Sequence, residues 1–197
     1  AEANAMTSQI REKILKAALQ SITRNGIRAF RVEDLTHHLK ISKKTIYQLF
    51  PSRIDLVKKC IEKINEPVRN KISLCLNAHK ENPMLQILNY TKSFVDGLYE
   101  PEEIFWQELQ KSNEFRYLFE TVRQEWLTGG EKILNACKNK GYICSDTNIQ
   151  YTNRRLQTSL FEARLNNEPY SGQVLFYNIF FRGIATETGR LWLENNV

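Results

Sequence analysis

The sequence is poor in the residues that mark several functional classes: two methionines, three histidines, four cysteines, five prolines and eight glycines in 197 residues. The glycines gather into no Gly-rich phosphate loop and no Gly-x-Ser-x-Gly, and the histidines form no His-Glu-x-x-His. Glu102 and Glu103 are neighbours at a helix start, not a facing acid/base pair, so no catalytic residue is assigned. Cys60, Cys75, Cys137 and Cys144 make no Cys-x-x-Cys and have no histidine at zinc-finger spacing, so reduced thiols are expected and neither metal nor cofactor is called for. No apolar run approaches the ~18 residues of a membrane span, and the N-terminus lacks a secretory apolar core. A cytoplasmic protein without membrane contact is the expectation. Alternating strand patterns, internal repeats and low-complexity tracts are also missing. The chain therefore reads as all-α, with Ala1–Ala5 taken as residues preceding a natural start at Met6.

What is present is an uneven charge. The net value is +6, yet residues 6–65 carry 13 Lys and Arg against 5 Asp and Glu, a local +8, and the remainder from Glu66 is close to neutral at −1. A basic module joined to a near-neutral one is the electrostatic footprint of nucleic-acid binding.

Within the basic part, apolar residues recur at helical spacing. Ile10, Ile14, Ala18, Leu19 and Ile22 form one stripe from about Ser8 to Asn25, closed by Gly26 as a C-terminal glycine. Phe30 supplies a large apolar lock. Val32, Leu35 and Leu39 mark a short second helix, and Ile46 and Leu49 a third. Lys40-Ile41-Ser42 between them is a turn, with Ser42 as N-cap. Two short helices about so tight a turn make a helix-turn-helix, whose second helix enters the DNA major groove. Pro51-Ser52-Arg53-Ile54-Asp55 then opens a fourth helix through a Ser52/Asp55 capping pair.

The composite of Gly26, Val32, Leu35, Ile41-Ser42, Thr45-Ile46-Tyr47, Phe50, Arg53 and Leu56 resembles the DNA-binding segment of the tetracycline-repressor (TetR) family. The resemblance covers about Ile10 to Ile64. It implies an N-terminal three-helix DNA-binding domain, residues 6–52, and a C-terminal helical effector-binding and dimerisation domain, residues 53–197, about nine helices in all. It also implies that Tyr47, Arg31 and Arg53 reach backbone phosphates. By chemistry, Lys43 adds phosphate-binding charge, Lys44 suits guanine, Gln48 adenine and the Thr45 methyl thymine. His37 and His38 read as surface and packing residues. Three positions depart from the family pattern: Lys40 and Lys44 stand where glycine is usual, and Arg31 replaces a capping threonine.

In the second part, Val57, Ile61, Ile64, Val68, Ile72 and Leu76 stay in register across Pro67, which predicts one long helix kinked there or two nearly collinear ones. Later helices are expected over Asn82–Tyr99, at Pro101, after Ser112-Asn113, over about Thr147–Asn167 and over about Gly172–Asn195. Gly129-Gly130 should mark a close helix contact or a bend. Tyr90, Phe94, Phe105, Trp106, Tyr117 and Trp126 form an aromatic supply suited to an effector pocket, and equally to a core. Val174–Phe181 is apolar nearly all round, so a second copy should cover part of it. The resemblance places a homodimer interface on the last two helices, here Leu160, Phe176, Phe180 and Ile184.

The reading is a DNA-binding transcriptional regulator, a repressor released from a palindromic operator by a small-molecule effector. A helical small-molecule carrier or interaction protein without DNA binding is the alternative. It accounts for the aromatics but not for the +8 segment.

Overall fold

The computed structural model describes Glu2–Val197, with side chains from Ala5 onward; the expectation for Ala1–Ala5 thus falls largely outside the described residues. Among the described residues there are ten helices: α1 (Glu2–Asn25), α2 (Val32–Leu39), α3 (Lys43–Leu49), α4 (Arg53–Asn77), α5 (Pro83–Tyr99), α6 (Glu103–Lys111), α7 (Arg116–Asn139), α8 (Ile149–Leu165), α9 (Tyr170–Ile184) and α10 (Glu187–Asn196). The fold is all-α, as expected. The chain divides into two compact units, one from the N-terminus to Pro67 together with Pro101–Glu120, the other Val68–Glu100 with Thr121–Val197.

The first unit is larger than residues 6–52, because α6 returns to it. The Glu102 amide donates to the Thr23 carbonyl at 2.8 Å, and the Arg28 amide donates to Glu108 Oε2 at 2.8 Å. Gly26 is required twice over here: its φ is +88°, and a β-carbon would stand 2.7 Å from that carboxylate oxygen, in a region L-residues avoid. Ile14, Ala18, Ile22, Phe30, Leu35, Ile46, Phe50 and Leu56 fill the core.

The helix α4 runs unbroken through Pro67; in the second unit, Asn82 caps α5 by accepting from the Leu85 amide at 3.2 Å. Gly129 and Gly130 do not interrupt α7. They let it touch its neighbours: a β-carbon on Gly129 would lie 2.2 Å from the Tyr90 hydroxyl, and one on Gly130 2.6 Å from Asn153 Oδ1. Tyr90 donates to the Trp126 carbonyl at 2.8 Å, Asn153 to Leu127 at 2.8 Å and Gln157 to Trp126 at 3.0 Å. Buried Arg164 ties α8 to α5, its Nε donating to the Leu98 carbonyl at 3.1 Å and its guanidinium 4.5 Å from the Tyr99 ring centre.

The single helix expected over Gly172–Asn195 is two. At Ala185 the backbone is extended, forming an antiparallel bridge with Ile143, while the Cys144 amide donates to Ile184 at 2.9 Å and the Thr186 amide to Tyr142 at 3.0 Å. Pairing with the α7–α8 loop thus replaces helical bonds, and Thr186 restarts the helix as N-cap of α10, accepting from the Gly189 amide at 3.1 Å. None of the described helices is long and apolar enough to cross a membrane.

Candidate nucleic-acid interface

The turn forms although lysine replaces glycine. Lys40 adopts the left-handed conformation, φ 54° and ψ 41°, at a cost of roughly 1 kcal/mol for an L-residue. Ser42 then caps α3, its Oγ accepting from the Thr45 amide at 3.0 Å and lying 2.8 Å from Thr45 Oγ1. Ile46 and Phe50 are buried beneath the helix. With the inner face fixed, the sequence periodicity turns Lys43, Lys44 and Gln48 outward, and all three are exposed. Tyr47 is half-buried, with Lys43 Nζ 5.9 Å from its ring centre. Arg31 is exposed at the N-cap position of α2 and its side chain makes no cap, leaving the guanidinium at the surface.

Arg53 departs from its expected place. It is half-buried, Nε donates to the Phe30 carbonyl at 3.1 Å, its Nη2 donates to the Ile27 carbonyl, and the guanidinium lies 5.7 Å from the Phe30 ring centre. A planar, five-donor fork committed to two loop carbonyls is a brace for the α1–α2 connection. It holds the reading helices rather than reaching outward from them.

Two contributors escape sequence reasoning. Glu33 pairs with Lys43; the hydrogen bond from the ammonium lowers the carboxyl's pKa and raises that of the lysine. Both groups are half-exposed, so the pair tethers Lys43 weakly and can exchange for a phosphate. Arg11, from α1, donates to the Leu49 carbonyl at 3.0 Å and lies 4.5 Å from the Phe50 ring centre. A cation on the last carbonyls of a seven-residue helix satisfies its C-terminus. Neither partnership has a local signal, since the residues sit 10 and 38 positions apart.

Residues 14–60 match the family model for bacterial regulatory proteins of the tetR family. This segment carries the tetR-family DNA-binding pattern. Solved structures with the same fold include a TetR-family transcriptional regulator from Agrobacterium tumefaciens, 15% identical, with a TM-score of 0.76 over 91% of this chain and 100% of that one. A transcriptional regulator from Saccharomonospora viridis in complex with choline is 16% identical, with a TM-score of 0.72 over 91% and 100%. The ketosteroid transcriptional regulator KstR2 of Mycobacterium tuberculosis is 17% identical, with a TM-score of 0.70 over 90% and 95%. No curated protein matches the sequence. The chain therefore carries a DNA-binding domain of the kind that bacterial regulatory proteins of the tetR family have.

The TetR-family C-terminal features are distributed differently from expectation. The six aromatics do not meet in one pocket. Phe105, Trp106 and Tyr117 belong to the first unit, Tyr90, Phe94 and Trp126 to the second. Tyr90 and Phe94 pack edge-on against Trp126 at 4.7 and 5.4 Å, Phe105 against Trp106 at 4.9 Å, and these five are buried core. Tyr117 is 53% exposed. Periodicity cannot separate an aromatic that lines a cavity from one that fills it. Open space lies instead along α4 and α7, in a cleft of about 720 Å³ bordered by Ile72, Leu76, Glu125, Thr128, Gly129 and Lys132.

Of the four residues expected at a dimer face, Leu160 is fully buried in its own unit, and Phe180 and Ile184 are half-buried. Gln173, Tyr177 and Phe181 form the inner stripe of α9. Its outer stripe exposes Leu175 (65%), Phe176 (38%) and Ile179 (70%). The helix is therefore two-faced, and its uncovered apolar face contains Phe176 of the expected set together with Leu175 and Ile179.

Proposed function

We propose that the protein is a homodimeric repressor that binds a palindromic operator through α3 and leaves it when a small-molecule effector binds the C-terminal unit. Acting at DNA, it works in the cytoplasm. The observation that carries the reading is the outer surface of α3: Lys44 and Gln48 project from a helix anchored by Ile46 and capped by Ser42. In this reading Arg31, Lys43 and Tyr47 meet phosphates, and Lys44, Thr45 and Gln48 meet base edges. Arg53 keeps the frame rigid.

The dimer is supported by the exposed Leu175, Phe176 and Ile179, since three neighbouring apolar side chains so exposed mark an interaction surface. Two-fold symmetry would set two α3 helices about 34–36 Å apart, in successive major grooves. An effector is supported by the α4–α7 cleft, whose size is that of ligand sites, and by the choline held by the Saccharomonospora viridis regulator of like fold. Release requires only that the effector prefer one spacing of the reading helices over the other.

The test is selection of bound fragments from random DNA by the purified full chain, with sedimentation of the complex. The expected result is an inverted repeat with half-sites about 10 bp apart, carrying one dimer. A single asymmetric site occupied by a monomer overturns the proposal.

A further inference from the structure

The cleft along α4 and α7 has a charge pattern that selects a ligand class. The surface it presents is mostly apolar, from Ile72 and Leu76 on α4 and the bare backbone of Gly129 on α7, with Thr121, Gln124 and Thr128 along the edge. A second hollow of about 230 Å³ continues it past Leu76 and Lys132 to Lys80, Gln86 and Ala136. Leu76 and Lys132 border both, so the two form one groove with apolar floor and a basic end.

Charges along the groove are unequally committed. The one carboxylate bordering it, Glu125, is held by Arg69 Nε at 2.9 Å. Lys80 and Lys132 are exposed and, unlike Lys71 and Lys92 in the same unit, are engaged by no carboxylate among the described residues. The end of α4 would ordinarily repel an anion through its unsatisfied carbonyls. Here the Gln86 amide covers two of them, donating to Cys75 at 3.0 Å and to Leu76 at 3.2 Å. An anion at this end therefore meets two ammonium groups and no uncommitted bordering carboxylate, while an apolar chain attached to it runs along Leu76, Ile72 and the bare backbone of Gly129.

We propose that this groove binds an amphipathic anion, a single unbranched apolar chain ending in a carboxylate or phosphate, with Lys80 and Lys132 at the head group and Ile72 and Leu76 along the tail. The assignment names the effector class of the regulator proposed above and rests on that reading for its biological role, not for its binding chemistry.

Titration calorimetry of the full chain with dodecanoate, dodecyl phosphate and dodecyltrimethylammonium, each below its micellar concentration, tests it. The expected result is saturable binding of at least one anion, one per chain, at least tenfold tighter than the cation of equal tail length. Lys80→Gln with Lys132→Gln should weaken that binding at least tenfold, and Lys80→Arg with Lys132→Arg should keep it within threefold. Thr128→Trp, at an exposed position on the wall, should block it without loss of thermal stability. Absence of saturable anion binding, equal affinity for the cation, or indifference to the glutamine pair overturns the assignment. Gel shift on a selected operator runs alongside. Anion binding without DNA binding removes the regulator reading and keeps the groove; DNA binding without anion binding does the reverse.

Discussion

The phenol oxygen of Tyr90 lies 2.2 Å from the point that a β-carbon on residue 129 would occupy. That oxygen also donates to the Trp126 carbonyl, so the Tyr90 side chain of α5 reaches the backbone of α7 at a position where α7 has no side chain. Gly129→Ala should gain up to about 1 kcal/mol of helix propensity and lose more to overpacking, typically 1–3 kcal/mol. Net destabilisation is expected in urea unfolding followed by circular dichroism. Tyr90→Phe in the same background removes the nearest atom and should recover part of the loss, a coupling that a double-mutant cycle measures. Gly129→Ala at wild-type stability would mean the two helices do not meet there.

Lys40 offers the opposite case. Its φ of 54° suits glycine better than lysine, so Lys40→Gly should raise stability by roughly 1 kcal/mol. The same change removes a cation from the DNA-binding unit. Melting temperature should rise while affinity for DNA of any sequence falls slightly at low salt. A lower melting temperature would show that the lysine side chain contributes more than its backbone costs.

How much of this was legible in the sequence follows from how local each feature is. The Ser42 cap, the Ser52/Asp55 pair and Gly26 depend on residues within three or four positions, and the spacing of residue types revealed them. The α9–α10 break depends on Ile143, over forty residues away, and no local pattern encodes it. Arg53 looked like a phosphate ligand because its charge was visible and its two carbonyl partners were not. Among the aromatics the pattern specified that they are apolar and helical, which fits core and pocket alike; only packing assigns five of them to the core.

The cysteines yield a prediction in pH. Burial pushes Cys60 and Cys137 from 9.0 up to about 12. In the unfolded chain they ionise near 9, so unfolding releases protons above that pH. Their contribution to stability is therefore fully present below about pH 9 and is lost as the pH rises through 12. At pH 8.5, iodoacetamide should alkylate the half-buried Cys75 and Cys144 first, with Cys60 and Cys137 reacting only on unfolding, as peptide mass analysis would show. Equal labelling of all four in the native protein would contradict the packing around α4 and α7.

Lys43 and Gln48 are both exposed on α3, yet their loss should read out differently. Lysine is a compact charge with a long reach, and glutamine offers a donor and an acceptor at fixed geometry, matching adenine N7 and N6. Lys43→Ala should weaken binding to all sequences and lower the slope of log K against log salt by about 1, one phosphate's worth of released counterion. Gln48→Ala should leave the salt slope unchanged and cost about 1–3 kcal/mol on the selected operator, with much less lost on non-specific DNA, so that preference at one base pair relaxes. Fluorescence anisotropy from about 50 to 200 mM salt, on the operator and on a scrambled duplex, separates these outcomes. Both variants behaving as wild type on both duplexes would remove α3 as the reading helix, because nothing else on its outer face carries a base-specific fork.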